Sequence, residues 1–153
     1  MKSNYKTGKM GRLITISKVL LFIILIPTAK LKAANYYSFL NGDWSDASIW
    51  TTDPTGLTLV GSAVPGATDA VFIINNRTVT NTVVARTVIA TSIASGSTLD
   101  LGVLAGNNLG TVSGAGTLKI GSSSFPTGTF TAFVSATGGT VEYYDFSGTL
   151  PNT

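Results

Sequence analysis

Seven acidic side chains carry most of the chemistry this sequence offers. The chain has no histidine and no cysteine, so neither a Ser–His–Asp nor a Cys–His arrangement can be assembled from it. Imidazole and thiolate metal sites are excluded on the same ground. What remains is carboxylate chemistry. Two acids about 5–10 Å apart can hydrolyse a glycosidic bond, and the pairs to consider are Asp43 with Asp46, or Asp100 with Glu142. Carboxylates are also hard oxygen ligands. Asp43, Asp46 and Asp69, with carbonyls from the glycine loops, are therefore candidate calcium ligands, although their spacing matches no known calcium loop. Each assignment has a plainer competitor. An Asp in a turn usually accepts hydrogen bonds from its own backbone. Asp100, Lys119 and Glu142 share one position in a repeated phrase, where they would form a charge ladder between stacked strands. The residue types thus predict no enzyme and no cofactor, with calcium the one ion they would suit.

Trp44 and Trp50 are the other candidates. They lie six apart, so an extended segment would place both on one face, as a sugar-stacking platform would need. In so small a domain the stronger expectation is that they plug the core, each burying about 200 Å². Asn76-Arg77-Thr78 is an N-glycosylation sequon, meaningful only in a eukaryotic secretory pathway. The glycine-rich stretches lack the lysine and the helix that a phosphate cradle requires.

The elements that would position these residues follow from a repeated phrase. Thr78-Val79-Thr80, Thr98-Leu99-Asp100-Leu101, Thr117-Leu118-Lys119-Ile120 and Thr140-Val141-Glu142-Tyr143 are near copies. Their leading threonines recur at intervals of 20, 19 and 23 residues. The last three follow turn-prone pairs, Gly96-Ser97 after Ser95, Ala115-Gly116 and Gly138-Gly139. A period near 20 residues, built of β-branched residues behind glycine turns, marks a stacked β-architecture. Further strands are predicted at Asn35–Leu40, Ala70–Ile74, Thr87–Ile89 and Phe130–Val134, with short ones at Thr58–Val60 and Thr82–Val84. No window carries the apolar spacing of a helix. The predicted fold is all-β: a right-handed parallel β-helix, or solenoid, of about four coils with an N-terminal aromatic cap. A β-sandwich is the alternative, since turns also fall every 8–12 residues or so. Residues 35–70 would form the cap segment and residues 71–153 the coils.

Residues 1–34 read as a signal peptide. Lys2, Lys6, Lys9, Arg12 and Lys18 precede the apolar run Val19 to Ile26, Pro27 ends it, and Ala33 and Ala34 offer cleavage sites. Lys18 leaves the run too short for a spanning helix, which needs about 20 apolar residues, so no stable membrane span is expected after cleavage. Removing the leader removes seven of the ten basic residues and none of the acids, which takes the net charge from +3 to −4. Nucleic acid and anionic membrane surfaces are thereby excluded as partners. The expected location is secreted or cell-surface, and the expected partners are extracellular polysaccharide or a cell-surface component.

One longer pattern carries a resemblance. Gly42-Asp43-Trp44-Ser45-Asp46, Trp50, a loop, Val64-Pro65-Gly66-Ala67-Thr68-Asp69-Ala70-Val71-Phe72-Ile73 and then Thr78-Val79-Thr80 resemble the start of large secreted β-helical, adhesin-like surface proteins of Bacteroidota. Gly114-Ala115-Gly116-Thr117-Leu118, Phe125-Pro126-Thr127-Gly128 and Gly139-Thr140-Val141-Glu142-Tyr143-Tyr144 are similar to the same family. The resemblance implies export and extracellular residence. Family members typically carry a C-terminal sorting domain of the type IX secretion route. Here the sequence ends at Pro151-Asn152-Thr153, which reads as the first piece of a longer protein.

Overall fold

The computed structural model describes residues 32–144. The expected leader falls almost wholly outside them, as do Asp145 and the chain end. Eleven strands are present among the described residues: β1 (Asn35–Ser38), β2 (Gly42–Asp43), β3 (Trp50–Thr51), β4 (Ala70–Ile73), β5 (Thr78–Thr80), β6 (Ala90–Ile93), β7 (Thr98–Asp100), β8 (Asn108–Ser113), β9 (Thr117–Ile120), β10 (Thr127–Thr129) and β11 (Thr140–Tyr143). They form two sheets, β10-β8-β6-β4-β1-β3 and β11-β9-β7-β5-β2. Every pairing is parallel except β1 with β3. From β4 on, successive strands therefore alternate between sheets, and each pairs with the strand one turn earlier. This is a β-solenoid of about four turns, and the parallel ladders rule out the antiparallel sandwich.

The repeated phrase is the repeating unit of one sheet. Thr78, Thr98, Thr117 and Thr140 stand in register, one above another. So do Val79, Leu99, Leu118 and Val141, of which the first three are fully buried. Strand alternation then turns the threonines, and the residue after each aliphatic, outward. The second sheet packs its own column inward, Val71–Thr91–Val112, with Ile73 on Ile93 beside it. Thr91 is a hydroxyl in that apolar column, and it is satisfied by donating to the Leu109 carbonyl at 2.9 Å. Corners need unusual backbone. Asn75 and Asn76 both hold positive φ, 60° and 54°, and turn β4 into β5. Gly110 sits at φ 61° against the preceding coil, where a Cβ would collide with the Ile89 carbonyl.

The cap forms from the excursion between β2 and β4. Trp44 and Trp50 are fully buried in the core, edge to face, with ring centroids 5.2 Å apart. The Trp50 indole N–H donates to the Trp44 carbonyl at 2.9 Å. A single 3-10 turn, Ala47–Ile49, joins them, with Asp46 as its N-cap. The chain then returns as β3 and lies antiparallel on the outer edge of β1. That pairing covers the edge from which a solenoid would otherwise recruit other chains. Arg77 ties the excursion to the second coil: its guanidinium donates to the Gly56 carbonyl at 2.8 Å and to the Ser38 carbonyl, and lies over the Phe39 ring.

Some predicted strands are corrected. Thr58–Val60 is a loop: the Thr58 carbonyl accepts from the Thr51 hydroxyl at 2.6 Å and the Val60 carbonyl from the Thr52 N–H at 2.9 Å. Thr82–Val84 belongs to a corner. Thr87 makes only an isolated bridge to Asn108, and the strand starts later, at Ala90. Phe130–Val134 curls, with the Val134 N–H on the Phe130 carbonyl, so that Phe133 alone turns fully inward. No helix among the described residues is long and apolar enough to cross a membrane.

Candidate functional site

The candidate acids are each held by a turn or a ladder. Asp43 closes β2. One of its oxygens accepts from the N–H of Ser45 at 2.9 Å and from the Ser45 hydroxyl; the other accepts from the N–H of Thr82 at 3.0 Å and from the Thr82 hydroxyl. Partial burial pushes its pKa up, but the bonds from Ser45 and Thr82 together outweigh that and hold it at about 2. Asp46 caps the 3-10 turn, accepting from the Ser48 N–H at 2.8 Å and the Ser48 hydroxyl at 2.7 Å, which lowers its pKa. Asp69 bridges the Ala34 N–H at 3.0 Å and the Gly66 N–H at 2.8 Å, fixing the approach to β4. Asp53, at the tip of the cap, is drawn down to about 2, first by the Thr55 hydroxyl and then by the N–H groups of Thr55, Thr58 and Leu57.

The calcium candidates Asp43, Asp46 and Asp69 are not brought together. Their oxygens point at backbone and hydroxyl donors of their own turns, and among the described residues no group of three acidic side chains converges on one point.

Asp100, Lys119 and Glu142 occupy one outward column, on β7, β9 and β11. Two ladder steps of about 4.8 Å would separate the acids by close to the 6.5–9.5 Å used in inverting glycoside hydrolysis. Lys119 stands between them, and its ammonium pairs with Glu142 at 3.1 Å. Asp100 accepts from the Gly102 N–H at 2.9 Å and from the Tyr144 hydroxyl at 2.5 Å. The column is a charge ladder from Lys119 to Glu142, while Asp100 is held by Gly102 and Tyr144.

Trp44 and Trp50 do not form a sugar platform. Both are 0 % exposed, so no ring face is open to a ligand. The accessible aromatic surface lies elsewhere. Val71 and Ile73 point into the core, so alternation turns Phe72 outward, in register with Tyr37 on β1. The two half-buried rings stack with centroids 4.8 Å apart and planes 19° from parallel. Ser92 and Ser113 continue that column. On the β3 side of β1 a recess of about 400 Å³ opens, lined by Tyr37, Asn35, Ala34, Thr52, Pro54 and residues 32–33. The sequence did carry half of this signal, the alternation Val71-Phe72-Ile73, but not the register that sets Phe72 on Tyr37.

The acids also set an acid limit on stability. Because the Asp43 pKa lies below its ordinary 3.8, the stability it contributes is present above about pH 3.8 and is lost as pH falls toward about 2. Asp43→Asn, which mimics the neutral carboxyl, should lower the melting temperature by about 4 °C at pH 6. The two melting temperatures should converge below about pH 2, a trend that circular dichroism across pH checks directly. A gap that persists unchanged at low pH would mean the carboxylate charge is irrelevant to folding. The chain matches no protein-family model, no curated protein and no solved structure.

Proposed function

We propose that this chain is an exported, non-enzymatic β-solenoid segment of a cell-surface or extracellular protein, acting through adhesion or structural contact. The observation that carries this reading is the use of the acids. Every acidic side chain among the described residues has at least one oxygen engaged by a turn, a cap or an ion pair. What such a scaffold offers a partner is its outer walls. Small and hydroxyl side chains stand there in straight rows, Thr78–Thr98–Thr117–Thr140 on one wall and Ser92–Ser113 on the other. Rows fixed by a parallel ladder lose little freedom on contact, which favours a weak, repeated interaction over an extended partner. The residue pattern of the first 34 positions and the net charge of −4 after their removal support export and a neutral or cationic partner.

The test is expression of the full, C-terminally tagged chain in a Gram-negative host. The expected product lies outside the cytoplasm, begins at Ala34 or Asn35, and is retained on insoluble polysaccharide or intact cells without releasing reducing sugar. An unprocessed cytoplasmic product, or release of reducing ends, would overturn the reading.

A further inference from the structure

The recess beside Tyr37 has the makings of a ligand site that the scaffold itself does not need. Its wall is an aromatic ring already fixed on one side. Phe72 covers one face of Tyr37 at 4.8 Å. The recess takes its lining from residues 32–34 before β1, from β1 and from the residues after β3, with none from β4, so it opens on the other side of Tyr37 from Phe72; Asn35, Tyr37, Thr52 and Pro54 remain after cleavage at either expected site. A ring stacked in this way is preorganised, and binding against it costs little side-chain freedom. The polar groups at the rim are neutral. Asn35 points outward, two residues before Tyr37 on the same strand face, and brings an amide that both donates and accepts. Thr52 adds a hydroxyl whose proton is directed to the Val60 carbonyl at 3.2 Å, leaving its lone pairs to accept. Among the described residues no acid lines the recess; the cation there, Lys32, precedes both expected cleavage sites, and cleavage after Ala33 leaves the new α-amino group on Ala34, whose nitrogen already lies 3.0 Å from an Asp69 carboxylate oxygen. A flat apolar wall, an amide and a hydroxyl acceptor, with the Ala34 nitrogen held on Asp69, match a pyranose ring: C–H groups on one face, hydroxyls at the edge.

We propose that this recess binds a neutral pyranose residue of an extracellular polysaccharide, stacked on Tyr37 and held at its edge by Asn35 and Thr52. The proposal rests on the surface-contact reading above and gives it a ligand class and a place. The recess lies on the first coil, beside the cap, so a sugar chain entering it can run on along the Ser92–Ser113 wall.

The experiment titrates the exported, processed protein with cellohexaose, laminarihexaose and mannohexaose, and separately with a polygalacturonate hexamer, following the Tyr37 ring and Asn35 amide signals by NMR. At least one neutral hexasaccharide should shift both sets of signals saturably. Tyr37→Ala should weaken that binding at least ~10-fold, and Tyr37→Phe, which keeps the stacking face, should stay within about 3-fold of the parent. Asn35→Ala, at an exposed position that leaves the core untouched, should weaken binding about 3- to 10-fold, which keeps the test decisive should Tyr37→Ala fail to fold. Silence of the Tyr37 ring with all three neutral sugars overturns the proposal, as does a preference for polygalacturonate. Retention on polysaccharide that survives both Tyr37→Ala and Asn35→Ala overturns this site while leaving the proposed function standing. An unexported chain overturns that function without bearing on the recess.

Discussion

Trp50→Ala is expected to cost this protein about 3–5 kcal/mol of folding stability, the usual range for emptying a buried tryptophan site. A domain of this size is stable by roughly 5–15 kcal/mol, so the loss removes about a fifth or more of what holds it together. Three contributions disappear at once. The ring is 0 % exposed and packs edge to face on Trp44, so its removal opens a cavity that the first coil cannot close alone. The indole N–H no longer satisfies the Trp44 carbonyl. Trp50 is also half of β3, opposite Ser38, so loosening it frees the edge of β1. An uncovered parallel edge pairs with other chains. The variant should therefore show both a lower denaturant midpoint and concentration-dependent self-association in sedimentation velocity. Trp50→Phe, which keeps a ring but not the N–H, should lose only about 1–2 kcal/mol and stay monodisperse. A Trp50→Ala protein as stable and as monomeric as the parent would remove the tryptophans from the cap.

How much of this was legible in sequence differs between the two sheets. In the sheet of β5, β7, β9 and β11, each strand reads Thr, aliphatic, polar and, on two of them, aliphatic or Tyr, so periodicity alone places it and predicts the Asp100–Lys119–Glu142 column. The facing sheet is not written that way. Ala90-Thr91-Ser92-Ile93 buries a threonine, Asn108–Ser113 contains Gly110, and Thr127-Gly128-Thr129 has no apolar side chain at all. Those strands exist because each finds a ladder already laid down by the coil before it, and the partner's backbone supplies what local propensity lacks. The cap was legible from its aromatics, although their chemistry read two ways until burial decided it. The recess was not legible. Tyr37 and Phe72 are 35 residues apart, across an excursion whose length fixes no register, and only the β1–β4 pairing brings them together.

That alternation makes the second large prediction, because neighbouring residues on one strand should behave in opposite ways. Leu118 is fully buried in the middle of the Val79–Leu99–Leu118–Val141 column, and Leu118→Ala should cost about 2–5 kcal/mol. Lys119 faces out; its ion pair with Glu142 is partly exposed, and such pairs are worth at most about 1 kcal/mol, so Lys119→Ala should cost no more than that. A register slipped by one residue would exchange the two results, since every side chain would change face. The kind of unfolding should differ as well. In a solenoid each coil rests only on its neighbours, so a cavity at Leu118 weakens β9 against β7 and against β11 while β5 keeps its contacts with β2 and β7. Native-state hydrogen exchange on Leu118→Ala should therefore lose protection first in β9 and β11, with β5 and β7 protected longest. Uniform loss of protection across all strands would show a single core shared by the whole domain, and the coils would then be a description of its shape and not the units of its stability.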